Sequence, residues 1–104
     1  MSSFRVVLSE EARSNVGAIY DWIAARSGQG AGRWYSAFLK VLNSLSRSAD
    51  RCAVAPETRH FSEVIRNITF RMRSGRTYRV LFTIDGQDVH VLFVRSPGQD
   101  WVDP

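Results

Sequence analysis

Apolar residues recur along this chain at two different periods. Ala12, Val16, Ile19, Tyr20 and Ile23 return every three or four positions, the spacing of one face of an amphipathic helix. Ala31, Trp34, Phe38, Val41, Leu42 and Leu45 repeat that spacing, with Arg33, Ser36, Lys40 and Asn43 on the opposite side. From Val64 the period falls to two. Val64, Ile68, Phe70 and Met72 interleave with Ile65, Asn67, Thr69, Arg71 and Arg73, which predicts a strand with one apolar and one mainly polar, basic face. Two further strands are expected over Tyr78 to Ile84 and Val89 to Val94, joined by the turn "DGQD".

The punctuation agrees with these periods. "FRVVL", Phe4 to Leu8, is a short β-branched run that stops at Ser9, a good helix cap, and Glu10 and Glu11 follow where the helix dipole favours carboxylates. The first helix is expected to end at "RSGQG", a glycine-rich link, and the second to begin close to Ala31. "RSADRCAVAPETRHFSE" is expected to be a loop. The order is therefore β-α-α-β-β-β. This is an α+β domain in which an N-terminal strand and an antiparallel helical hairpin are followed by three antiparallel strands, and one domain is expected to span residues 1–104.

Composition narrows the picture. The net charge is +4, and all but Lys40 of the 14 basic residues are arginines. An arginine fork holds a phosphate or carboxylate with two hydrogen bonds, so an anionic partner is favoured over a membrane. No apolar run approaches the roughly 18 residues a membrane span requires, and no signal-peptide pattern opens the chain, so the expected location is the cytoplasm. Cys52 is the sole cysteine, which leaves no intramolecular disulfide and no cysteine cluster for a metal. "GQGAG" has neither the preceding strand nor the lysine of a phosphate loop.

The densest charge asymmetry lies between Arg59 and Arg79, where six arginines face one acid, Glu63. Alternation sets Tyr78, Val80, Phe82 and Ile84 on one face of their strand and Arg79, Leu81, Thr83 and Asp85 on the other. If the helices cover the first face, Arg79 lies on the open one, with Arg71 or Arg73 from the neighbouring strand near it and Arg95 closing the last strand. Phe70, Tyr78 and Trp101 are interleaved aromatics suited to stacking on bases. A basic open face also has a purely structural reading, since it keeps a sheet soluble and discourages edge-to-edge association.

The element order together with "YRVLFTIDGQDVHVLFVR", residues Tyr78 to Arg95, resembles the RelE/ParE toxin superfamily of bacterial type II toxin–antitoxin systems, also called plasmid stabilisation proteins. The resemblance implies a toxin neutralised by a small antitoxin, and it carries two activities. RelE-like members cut mRNA on the ribosome without a metal or other cofactor, and ParE-like members poison DNA gyrase. On the nuclease reading, which is the one expected here, Arg79 matches the arginine that stabilises the phosphate. Arg95 takes a second cationic role, Glu63 or His60 acts as base, and Arg71, Arg73, Arg76 and Trp101 contact the RNA. The C-terminal stretch "VRSPGQDWV" departs from the nuclease pattern, because its only cation is Arg95 and a guanidinium is a poor proton donor. The gyrase reading, and that of an inactive member that only binds an antitoxin, therefore stay open.

Overall fold

The computed structural model describes residues 3–97. Strand β1 (Arg5–Leu8) leads into helix α1 (Glu10–Ala24) and helix α2 (Gly28–Ser48). A short strand β2 (Ala53–Val54) follows, flanked by single 3₁₀ turns at Ala49–Arg51 and Pro56–His60. Strands β3 (Arg66–Arg71), β4 (Thr77–Asp85) and β5 (Asp88–Arg95) complete the order.

Ser9 starts α1 as its residue type suggests, and it also anchors the helix to the sheet. Its Oγ accepts from the Ala12 amide and donates to the Leu92 carbonyl, both at 3.0 Å. The second helix begins earlier than its apolar stripe indicates. Ser27 is extended and its Oγ accepts from the Gly30 amide at 2.9 Å, so Gly28 and Gly30 form the first turn of α2 rather than a link. A helical glycine costs about 1 kcal/mol relative to alanine, and a serine cap returns a similar amount. Close approach adds a reason at Gly30, where a Cβ would lie 3.1 Å from the Ser27 Oγ.

The five strands are ordered β1-β5-β4-β3-β2. Strand β1 runs parallel to β5, with Val6 beside Val89 and Leu8 beside Val91, and every other pairing is antiparallel. The sheet is therefore mixed, and the expected antiparallel trio β3-β4-β5 sits at its centre. The expected loop after α2 is corrected in part. It contains β2, which pairs Ala53 with Asn67 and Val54 with Arg66, and Arg66 donates to the Cys52 carbonyl at 2.6 Å. Two residues are too few to show a period, so the pattern passed over this strand.

One face of the sheet packs on the helices around Trp34, Phe38, Leu45, Tyr78, Val80, Phe82 and Val91, all wholly or almost wholly buried. Trp34 stacks on Phe38 with ring centres 5.6 Å apart and planes 4° from parallel. The other face is not open. Leu81, Ile65 and Ala55 are buried in a second, smaller core, with Phe61, Leu92 and Phe93 against them. A register shift allows this. Leu81 pairs with Phe93 but Phe82 pairs with Val91, so Leu92 is the extra residue of a bulge. The chain from Ala55 to Ile65 folds back over that face, which corrects the expectation that it is open where Arg79 lies.

Candidate functional site

The register answers how the two ends of the apolar hairpin relate. Arg79 lies directly across from Arg95 on one side and from Thr69 on the other, so the three residues form a row on the face away from the helices. Arg71 pairs with Thr77 on the same face, one step further along, and is exposed. Arg79 and Arg95 are thus brought together, with Arg71 beside them.

Arg79 does not stand alone in that row. Its two terminal nitrogens donate to the two carboxylate oxygens of Glu57, at 2.7 and 2.9 Å. The Glu57 side chain is 0% exposed and that of Arg79 is 24% exposed, so this is a buried, forked ion pair. These hydrogen bonds push the Arg79 pKa up. Burial opposes the rise more weakly, and the Glu57 charge adds to it. Arg79 is therefore a fixed cation whose charge is already matched. Glu57 sits in the turn Pro56–His60, where Pro56 provides a pre-set φ at the first position. Nothing local marks Glu57 as buried, and its partner is 22 residues away.

The other expected site residues separate. Arg95 lies over the Phe93 ring, with the guanidinium carbon 5.3 Å from the ring centre, and its buried Nε has no hydrogen-bond partner among the described residues. The carboxylate of Glu63 accepts from the Thr83 hydroxyl at 3.2 Å. Thr83 is four residues along β4 from Arg79, about 13 Å at the usual strand rise, and the buried Leu81 lies between them. His60 is exposed and accepts a weak hydrogen bond from Arg59 at 3.4 Å. Trp101 lies outside the described residues.

Arg73 and Arg76 belong to a different surface. The turn that follows β3 carries them to the helix side, where they line a cleft with Trp22, Arg26 and Arg33. Arg76 donates to the Tyr78 hydroxyl at 3.4 Å and lies 4.9 Å from the centre of the Trp22 ring. Phe70 and Tyr78, expected as base-stacking surfaces, stack on each other in the main core with ring centres 5.5 Å apart. Sequence reading missed Glu57, Trp22 and Arg26. Trp22 lies outside the apolar stripe of α1, and a tryptophan off that stripe was the one signal available for it.

Among the described residues no three His, Cys, Asp or Glu side chains gather as metal ligands, and no helix is long and apolar enough to cross a membrane. The family follows from comparison with known proteins. A family model described as the ParE toxin of the type II toxin–antitoxin system parDE matches residues 6–101. The chain belongs to the ParE toxin family. ParE toxins are components of two-protein systems, so an antitoxin is the partner that this membership implies. Among solved structures, the chain is similar to one described as the chromosomal ParDE TA system from P. aeruginosa. The TM-score is 0.70 at 20% identity, and the match covers 90% of this chain and 96% of the other. That likeness shows the shared α+β fold. Comparison with curated protein sequences returned no match.

Proposed function

We propose that this ParE-family chain is a toxin that acts on DNA gyrase rather than on mRNA. The observation that carries this reading is the Arg79–Glu57 pair. Cleavage at a 2′-OH needs a cation free to meet the growing charge on the phosphorane, and it needs a group that can give a proton to the leaving oxygen. The Arg79 fork already holds both oxygens of a buried carboxylate. Its raised pKa makes it a still poorer proton donor. The bases considered, Glu63 and His60, are held by Thr83 and beside Arg59 instead. Match to the parDE family model supports the same choice, because ParE-like members of the superfamily are the gyrase poisons.

The antitoxin implied by the family would cover the apolar strip on the outer face of the helical hairpin. Tyr20, Tyr35 and Leu39 are 39%, 42% and 46% exposed there, an unusual display of large apolar side chains. Tyr20 and Tyr35 meet edge to face with centres 6.2 Å apart, so the strip is pre-formed rather than loose. An amphipathic helix laid along it would use the groove beside Val16 and Gly17.

mRNA cleavage remains the second reading because Arg79 and Arg95 are cross-strand neighbours on one face. Two assays separate the readings. Purified chain is mixed with gyrase, ATP and supercoiled plasmid, then quenched with detergent and protease. The same preparation is mixed with ribosomes stalled on a defined mRNA. Linear plasmid that depends on gyrase, with intact mRNA, is the expected result. Cut mRNA with no trapped DNA breaks would overturn the proposal.

A further inference from the structure

The cleft that holds Arg73 and Arg76 is far richer in positive charge than its size requires. It lies where the end of α1, the start of α2 and the β3–β4 turn meet, and its volume is about 230 Å³. Arg26, Arg33, Arg73 and Arg76 line it, and among the described residues no carboxylate does. Among the described residues none of these four arginines enters an ion pair, since those formed are Arg5–Asp88 and Arg79–Glu57. A second hollow of about 340 Å³ continues from it past Trp22, Arg76 and Tyr78 towards Asn15 and Ser96.

Two of the guanidiniums are already in place. Arg26 donates to the Trp22 carbonyl at 2.8 Å and its guanidinium carbon lies 3.7 Å from the Trp22 ring centre. Arg76 is held by the Tyr78 hydroxyl and by the same ring. These contacts remove part of the side-chain freedom that a ligand would otherwise have to remove, which is what pre-organisation means for binding. The floor of the cleft is apolar, formed by Ile23, Met72 and Trp34. Trp34 is 0% exposed, and its indole N–H is buried with no acceptor among the described residues.

We infer that this cleft binds an acidic segment of a partner protein, in which carboxylates flank an aliphatic side chain. Carboxylates match the four arginines, and the aliphatic group matches the floor. A nucleic-acid strand fits less well. Its phosphates gain nothing from an apolar floor, and the Trp22 ring on which a base would stack is already occupied by guanidinium groups. The inference stands apart from the choice of gyrase or mRNA as target, because it concerns a surface on the helix side of the sheet and not the Arg79 row.

The test uses the full chain and a fluorescein-labelled octapeptide of alternating Glu and Leu, followed by anisotropy. A Gln–Leu octapeptide and a labelled oligothymidine of eight nucleotides serve as comparators. Saturable binding of the Glu–Leu peptide that weakens with salt is expected. The R26Q/R76Q variant should weaken it at least tenfold, and so should R73E, which leaves the Trp22 contacts in place. R51Q, an exposed arginine outside the cleft, should leave it unchanged, and circular dichroism should show all variants folded. Equal binding of the Gln–Leu peptide, tighter binding of oligothymidine, or indifference to R26Q/R76Q and R73E would overturn the inference.

Discussion

The guanidinium of Arg79 and the carboxylate of Glu57 meet through two parallel hydrogen bonds, and the carboxylate end of the pair is sealed from water. A strand arginine on the face away from the helices has thus become part of the interior. The turn that carries Glu57 lies over it, and the same stretch of chain places Ala55 and Ile65 on Leu81.

Removing Arg79 takes the guanidinium fork from a buried carboxylate, and removing Glu57 leaves a guanidinium that is partly in reach of water. R79A is expected to lose about 3–5 kcal/mol of stability, the range for breaking a buried pair from one side, and E57A less, because the Arg79 left behind reaches water. E57Q should lose less still, because an amide oxygen still accepts from Arg79. Urea denaturation followed by circular dichroism measures all three, and a loss below about 1 kcal/mol in E57A would show that the pair is held loosely.

Since R79A is expected to disturb folding as well, Arg95 separates the two activities more cleanly. Its Nε makes no hydrogen bond among the described residues, so R95Q is expected to fold normally. Trapping of gyrase on DNA should be unchanged in this variant. A fall of about 100-fold in ribosome-dependent mRNA cleavage, the usual loss for one charge-stabilising donor, would instead place Arg95 in a nuclease site.

The second core makes a separate prediction. L81A is expected to cost about 2–5 kcal/mol, as a buried leucine does, although Leu81 points away from both helices. Thermal and urea denaturation would check it. A loss near zero would return that face to solvent.

Gly86 is the first of the two turn residues between β4 and β5 and has a φ of 62°. Nothing lies within 4 Å of a Cβ built there, so backbone strain is the only penalty for a side chain. G86A should cost about 1–2 kcal/mol, the penalty of a left-handed residue, and G86N less. Denaturation midpoints of the pair would show the order.

Burial pushes the Cys52 thiol pKa up. The nearby Arg66 charge opposes that rise and Asp50 adds to it. The folded chain therefore holds the thiol proton more tightly than the unfolded chain does. The resulting stability is present below the ordinary thiol pKa of about 8.5 and is lost as pH rises through the folded value. C52A should flatten that alkaline decline. Native Cys52 should also react more slowly with a thiol reagent at pH 8 than it does in urea, because the thiolate is the reactive form.

Much of the architecture was legible in local pattern. The helical stripes of α1 and α2 and the alternation in β3, β4 and β5 follow from side-chain period, and Ser9 follows from the chemistry of caps. The superfamily was legible too, from the hairpin Tyr78 to Arg95 in its place at the end of the β-α-α-β-β-β order, whereas the sequence alone favoured its nuclease branch over the ParE family that the family model assigns. Misplacements fell where period carries no information. β2 has two residues, and the glycines at the start of α2 show the opposite of their usual preference because Ser27 caps them.

The sequence by itself determined the two helices, the four longer strands and the toxin superfamily they build, because those properties depend on neighbours a few positions apart. Tertiary structure alone decided what the arginines do. Arg79 went to Glu57, Arg95 to the Phe93 ring, and Arg73 and Arg76 to the cleft beside Trp22. A charge takes its role from the partner that burial brings to it. Glu57 reaches Arg79 only because the chain between β2 and β3 folds back across the sheet, and no spacing along the sequence records that return.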